Sequence, residues 1–366
     1  MNEWKKVKIS EIGKVVTGKT PKTSNSSFYG GKTPFFTPSD DWSTKYIKNT
    51  NKYLTEEGKN SVKGSIIPKN AICVSCIGII GKVAMTSSET VTNQQINSII
   101  VDETKYNIDF IYYAILELGK VLNLHSGSST VVPIISKNTF SEYKLTCPNL
   151  DEQKKIANVL SIIDKKIEIN KQINDNLANM AQDIYMHWFF KKSPNGKLKD
   201  ILLEAAKSNV QVGDAKNCIG QYPFFTSGAS ILTWNKYFVN GRYCFLNTGG
   251  NADIKFYVGK SSYSTDTWCI YTKNDMNDYL YLLLLTIKEE LNKKYFQGTG
   301  LKHLQKYLLI NKDIYIPTES ELFNFNNIVK PIFDNISSNK RETEKLATLR
   351  DYLLPLLLNG QITIED

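Results

Sequence analysis

Arginine is almost missing from this chain. Of 45 basic residues only three are arginine, at Arg242, Arg341 and Arg350, so any reading of base edges must lean on Lys, Asn, Gln, Ser and Thr. Histidine is as scarce: His125, His187 and His303 stand far apart, and no metal cluster or histidine-based triad announces itself. The six cysteines are scattered, which suits reduced thiols in a cytoplasm better than a disulfide framework. No apolar run nears the roughly 18 residues of a spanning helix; the best, Tyr279 to Leu285, falls far short. The start, Met1 to Lys6, leads into no apolar signal core, so export and membrane insertion are not expected. Nucleotide motifs are lacking too. Gly78-Ile79-Ile80-Gly81-Lys82 has neither the spacing nor the following Ser or Thr of a phosphate loop, and reads as a tight turn between strands. No methyltransferase glycine motif, Asn-Pro-Pro-aromatic motif or nuclease carboxylate–lysine set is present. The chain is expected to carry no catalysis, no metal and no cofactor of its own.

What is there is a folded chain with a basic balance. Its 366 residues, 41% hydrophobic and 22% charged, imply two or three units that bury full cores. A net charge of +9 favours polyanionic partners such as nucleic acid.

The chain also repeats itself with a long period. Pro34-Phe35-Phe36-Thr37 recurs as Pro223-Phe224-Phe225-Thr226, 189 positions later. Val7-Lys8 lines up with Leu198-Lys199, Thr92–Ile100 loosely with Ser264–Thr272, and Pro148 with Pro317. The second copy is shorter by about 20 residues, the shortfall lying between positions 40 and 92. The extra segment, 41–63, is polar and lysine-rich, as a surface loop would be.

Each copy ends in a long helical pattern. Asn149 with Glu152, and Thr318 with Glu321, have the spacing of capping boxes. Ile156, Leu160, Ile163 and Ile167, later Leu177, Ala181, Ile184 and Trp188, follow a coiled-coil seam, as do Phe325, Val329, Ile332, Ile336 and Leu346. The middle of each seam is polar: Asn170 and Asn174 in one, Asn339 and Thr343 in the other. Either these four meet at a helix-pair midpoint, or the first seam drifts onto Ile169 and Ile173. Pro331 should kink the second helix or mark a late start. Ile66–Val74, Ile96–Val101 and Trp268–Tyr271 read as strands, Phe110–Leu118 and Asp278–Leu291 as helices. Cys73 and Cys76 are either half of a zinc or redox pair or buried strand thiols; the apolar run around them favours burial.

Polar loops supply the candidate DNA contacts. In the first copy these are Lys19, Thr20, Lys22, Ser39, Lys82, Asn93, Gln94, Ser126 and Ser128; in the second, Thr226, Ser227, Thr248, Lys255, Thr299, Lys302 and His303. The lysines suit phosphates. Arg242, after Asn240-Gly241 in a turn-like setting, is either a base or phosphate contact or a plain surface arginine.

At this point the residues resemble a specific family. Gly18-Lys19-Thr20-Pro21, Tyr29-Gly30-Gly31 and the run Pro34 to Asp40 are similar to the first target-recognition domain of type I restriction-modification specificity subunits. Ile80 to Ala84, Thr92 to Ile96, and Pro148 to Gln153 leading to Ile156-Ala157 resemble the same family, as do Leu349 to Pro355 with Gly360 and Ile362. One departure is that Leu177–Phe189 keeps only Asp183 of the C-terminal pattern. The resemblance implies a mixed α/β (α+β) fold, with two pseudo-repeated target-recognition domains separated by two long helices forming an antiparallel coiled coil. The expected segments are 1–148 and 193–317 for the domains, and 149–192 and 318–366 for the helices. It also implies double-stranded DNA as ligand, one half of a split sequence read by each domain. The helices would set the spacing and recruit two methyltransferase subunits, joined in many members by two restriction (translocase/nuclease) subunits. S-adenosylmethionine, ATP and magnesium would sit on those partners. The alternatives are a specificity protein serving a fused methyltransferase-nuclease, or a helical scaffold with no DNA role.

Overall fold

The computed structural model describes residues 4–126 and 133–364. The chain divides into two compact units: unit 1 is Met1–Lys165 with Leu346–Asp366, and unit 2 is Lys166–Lys345. Each long helix is therefore shared between units instead of standing apart from them. The first runs Leu150–Trp188 and the second Glu319–Leu358. Their starts follow from local chemistry. Asn149 Oδ1 accepts the Glu152 N–H at 2.9 Å, while Thr318 and Glu321 cap each other reciprocally, at 3.3 and 2.9 Å. That cap begins the second helix well upstream of Pro331, so the late start expected there does not occur.

In unit 1, the strands Gly13–Thr17, Ile96–Val101, Ile72–Ser75 and Val83–Met85 form one antiparallel sheet in that order. A second sheet holds Lys52–Leu54, Tyr29–Phe36, Thr90–Thr92 and Ile66–Ile67, with Phe36 beside Thr92 in a parallel step. The strand expected over Ile66–Val74 is broken in two, because Pro68 and the left-handed Asn70 (φ 67°) turn the chain between its halves. The extra segment is not merely a surface loop. It contributes the strand Lys52–Leu54 and a helix, Glu56–Asn60, and buries Leu54 and Val62 against Phe35 and Val91. The helix Ile108–Ser126 packs on the antiparallel sheet, and Phe110 and Tyr113 share its core with Ile156, Leu160, Leu354 and Leu357 of the long helices.

Unit 2 carries a six-stranded sheet in the order Leu202–Glu204, Thr267–Thr272, Val239–Asn247, Ile254–Tyr263, Tyr222–Phe225, Ile231–Trp234. Phe225 lies beside Tyr263 in the same parallel step. The helix Asn277–Thr286 packs Tyr279 and Leu280 against Phe325, Val329 and Phe333.

Register fixes the repeat more closely than the sequence does. The Lys8 N–H donates to Glu11 and the Lys197 N–H to Asp200, both at 2.7 Å, so Lys8 corresponds to Lys197 and not to Lys199. Gly13 pairs Val101 while Leu202 pairs Thr272, which moves the loose alignment of Ile100 with Thr272 by one residue. In a strand, one residue turns every side chain to the other face.

The polar middle of the seam lies in unit 2. Asn339 Nδ2 donates to Asn174 Oδ1 at 3.0 Å. Asn170 Nδ2 donates to Glu342 at 2.7 Å and reaches Thr343 Oγ1 at 3.5 Å. Numbers rise on one helix as they fall on the other, so the two run antiparallel there. Asn170 is 1% exposed, whereas Ile169 and Ile173 are 39% and 41% exposed. The seam does not drift onto the isoleucines.

Candidate nucleic-acid interface

In unit 1 three strands stop at one sheet edge, because Thr17 pairs Asn97 and Ser75 pairs Ile96. The loops leaving that edge are laced together. The Gly18 and Lys19 N–H groups donate to Ile96 O and Thr92 O at 3.0 and 2.9 Å, and Cys76 N–H to Gln95 O at 2.8 Å. Thr20 Oγ1 donates to Gln94 Oε1 at 2.6 Å. Gly18 is required here: a Cβ would lie 2.1 Å from Asn93 O. Asn93 is 8% exposed and shapes its own turn, accepting the Gln95 N–H at 3.1 Å. After the parallel step, buried Asp40 accepts the N–H groups of Thr37 and Asn51 at 2.7 and 2.6 Å, which holds Ser39 outward. A cleft of about 310 Å³ lies between Phe35, Ser39, Asn51, Asn93 and Gln95.

The turn Gly78 to Lys82 joins two antiparallel strands, with Gly81 at φ 86°. The Lys82 N–H donates to Ser75 Oγ at 2.9 Å, so the turn sits at the same edge. The structure thus brings together Lys19, Thr20, Ser39, Lys82, Asn93 and Gln94, with Lys22 exposed on the first loop. Ser126 ends the helix Ile108–Ser126; Ser128 lies outside the described residues. Cys73 and Cys76 are buried beside this edge, and burial holds their thiols up at about 12 and about 11.

Unit 2 builds a matching cluster. The hydroxyls of Ser227 and Thr248 both donate to Asp266 O, the latter at 2.9 Å. The Gly250 N–H donates to Lys302 O at 2.9 Å, and Leu304 N–H to Thr248 O at 3.0 Å. This brings Thr299, Lys302 and His303, all exposed, beside the Thr248 turn.

Three expected contacts instead have internal tasks. Thr226 is 2% exposed and its hydroxyl donates to Ser230 O at 2.6 Å. Lys255 pairs with Asp253 at 2.8 Å and donates to Gly228 O at 2.7 Å, which pins the 226–228 loop from below. Arg242 is not in a turn; it lies in the strand Val239–Asn247. Its guanidinium pairs with Asp278 at 2.6 Å and with Asp334. Two close carboxylates engage it within the fold.

Sequence reasoning missed one loop. By the corrected offset of 189, residues 206–210 are the counterpart of 17–21. The Thr265 N–H donates to Val210 O at 2.9 Å, which seats this loop beside Asp266. The signal was the chain start of each unit, obscured by aligning Lys8 with Lys199.

Among the described residues no helix is long and apolar enough to cross a membrane, and no group of three metal-ligating side chains is found.

Residues 1–179 match the family model described as the type I restriction modification DNA specificity domain. The type I restriction enzyme MjaIX specificity subunit of Methanocaldococcus jannaschii is 25% identical over 100% of this chain and 94% of its own length. The HindI specificity subunit of Haemophilus influenzae is 33% identical over 48% of this chain and 38% of its own. In fold, the chain is similar to the crystal structure of a type I restriction-modification S subunit from M. genitalium. The TM-score is 0.65 at 16% identity, covering 97% of this chain and 96% of that one. One match thus lies on residues 1–179 and another runs the length of the chain, and both are with type I restriction-modification specificity proteins.

Proposed function

We propose that this chain is the non-catalytic, DNA-reading subunit of a type I restriction-modification complex, each unit reading one half of a bipartite target. The observation that supports it is the pair of loop clusters at equivalent strand ends, one around Thr20 and Gln94 and one around Ser227 and Thr248. Both offer lysines, amides and hydroxyls, the groups that contact phosphates and base edges.

The chemistry belongs to partners. Two methyltransferase subunits bring S-adenosylmethionine, and a pair of restriction subunits brings ATP and magnesium where cleavage accompanies modification. The long helices set the distance between the half-sites and dock those partners. Within unit 2, Ile169, Ile173 and Met180 on the first helix, spaced 4 and 7 apart, are 39–53% exposed, an apolar row that fits another protein surface.

Methylome sequencing of a host with and without the chain tests the reading. A methylated split sequence should vanish on deletion, and the purified chain alone should transfer no methyl group until a partner methyltransferase is added. Methylation that survives deletion, or turnover by the chain alone, overturns it.

A further inference from the structure

Beside the unit 2 cluster lies a pocket that the reading above does not use. It has a volume of about 550 Å³ and is lined by the missed loop, 206–210, and by the segment 234–239. Trp234, Phe238 and Tyr263 give it an aromatic wall; Lys207 and Lys236 are exposed at its rim. No carboxylate lines it, and neither lysine has an ion-pair partner among the described residues. Each of those choices costs something. Phe238, a large apolar side chain, is 39% exposed. Two like charges across one opening repel each other unless an anion lies between them.

The pocket is built, not incidental. Tyr263 donates its hydroxyl to Ala206 O, and its ring meets Phe238 edge-on, with centroids 5.7 Å apart. Ser208, 7% exposed, accepts the Val210 N–H at 3.1 Å and fixes the loop that carries Lys207. Val210 in turn accepts from Thr265, the neighbour of Asp266, which holds Ser227 and Thr248. The pocket and the candidate interface are thus tied to each other by hydrogen bonds within unit 2. The repeat supplies a second, independent argument. Lys207, Ser208 and Asn209 occupy the positions that Gly18, Lys19 and Thr20 hold in unit 1, where the same loop faces the candidate interface.

We propose that this pocket grips the DNA backbone at the edge of the unit 2 half-site, Lys207 and Lys236 bracketing a phosphate while Phe238 and Trp234 lie against the adjoining deoxyribose. The inference rests on the DNA-reading function proposed above and deepens it. Such a grip positions the half-site without reading its bases, so it acts alike on all sequences.

The test is salt-dependent binding by the full-length chain to a fluorescent 40-base-pair duplex of random sequence, as wild type and as Lys207→Ala/Lys236→Ala. The two lysines share one phosphate, so the double variant should lower the slope of log K against log salt by about 0.9. Because both side chains are exposed, its melting temperature should match wild type. Phe238→Ala should weaken binding at every salt concentration and leave the slope as it is. A steep wild-type slope that the double variant retains overturns the pocket alone. A wild type with no salt-dependent DNA binding overturns the DNA-reading function and the pocket together.

Discussion

Both units set an arginine–aspartate ion pair where the long helices meet a mixed domain, but the pairs join different elements. In unit 1 the pair joins the two long helices: Arg350 of the second pairs with Asp164 of the first at 2.9 Å, and the domain is tied in through the Tyr113 hydroxyl, which donates to Asp164 at 2.6 Å. In unit 2 the arginine is on the sheet, and Arg242 reaches the domain's own Asp278 and the long helix's Asp334. The remaining arginine, Arg341, donates to Val258 O at 3.0 Å, joining long helix to sheet once more. The difference is one of burial. Asp164 and Arg350 keep 18% and 25% of their side-chain surface, whereas Asp278 keeps none. What the comparison teaches is where the scarce arginines go. All three are taken up by contacts made to or from a long helix, which leaves the loops to lysines, amides and hydroxyls.

Breaking the two clamps should therefore have unequal effects. Arg242→Ala strands a buried carboxylate and should cost about 3–5 kcal/mol. Arg350→Ala, in a pair that keeps some contact with solvent, should cost about 1–2 kcal/mol. Thermal melting of the two variants side by side measures the gap; equal losses would mean that burial does not set the strength of these clamps. Arg242→Lys should likewise lower stability and leave both halves of the recognised sequence unchanged.

Acid sharpens the comparison further. Burial pushes Asp278 up to about 6, against the pull of Arg242. A carboxyl that holds its proton more tightly when folded contributes stability that falls as pH rises from the unfolded value near 3.8 to about 6. The fall is about 3 kcal/mol at most. Asp278→Asn should remove it. Melting curves at pH 4, 5, 6 and 7 would show a variant whose stability declines less than wild type across that window; parallel curves would rule out a buried titrating Asp278.

The residues that were legible in the sequence are those whose signal is local or periodic. The caps at Asn149 and Thr318 name the helix starts, and the 4-3 spacing names the seam, down to Asn170 and Asn174 facing Thr343 and Asn339. The repeat was legible at Pro34 and Pro223 because an aromatic run in a parallel step tolerates little change. It blurred at Lys8 and Val101, where correspondence is set by strand pairing, a contact between residues far apart in the chain. Thr226, Lys255 and Arg242 misled for one reason. A polar side chain looks alike in sequence whether it meets solvent or closes a loop from beneath, and only the fold reveals Asp253, Asp278 and Ser230 waiting for them.

The polar layer in unit 2 has no counterpart among the apolar contacts that Leu160 and Leu354 make in unit 1. Replacing Asn170, Asn174, Asn339 and Thr343 together with Leu should make the helix pair more stable, by on the order of 1 kcal/mol per buried polar group, while losing the register that the paired amides enforce. Cysteine pairs placed at Asn174/Asn339 and one turn away would report it: wild-type surroundings should cross-link in one register, the leucine variant in several. Cross-linking confined to one register in both would assign the register to the flanking apolar seam instead.

The smallest effects should come from the loops, and there the units should part cleanly. Thr20→Val removes one exposed hydrogen bond to Gln94, and Thr248→Val one to Asp266 O; each should cost about 0.5–1 kcal/mol of stability or less. Their effect on reading should be out of proportion to that, because each bond fixes the loop that presents polar groups to a half-site. Methylome sequencing of hosts carrying either variant should show one half of the split target relaxed and the other intact, the affected half differing between the two. Such a split outcome requires loop clusters that are equivalent but separate. If Thr20→Val and Thr248→Val relaxed the same half, the two clusters would belong to a single reading surface, and the repeat would describe the fold without describing the function.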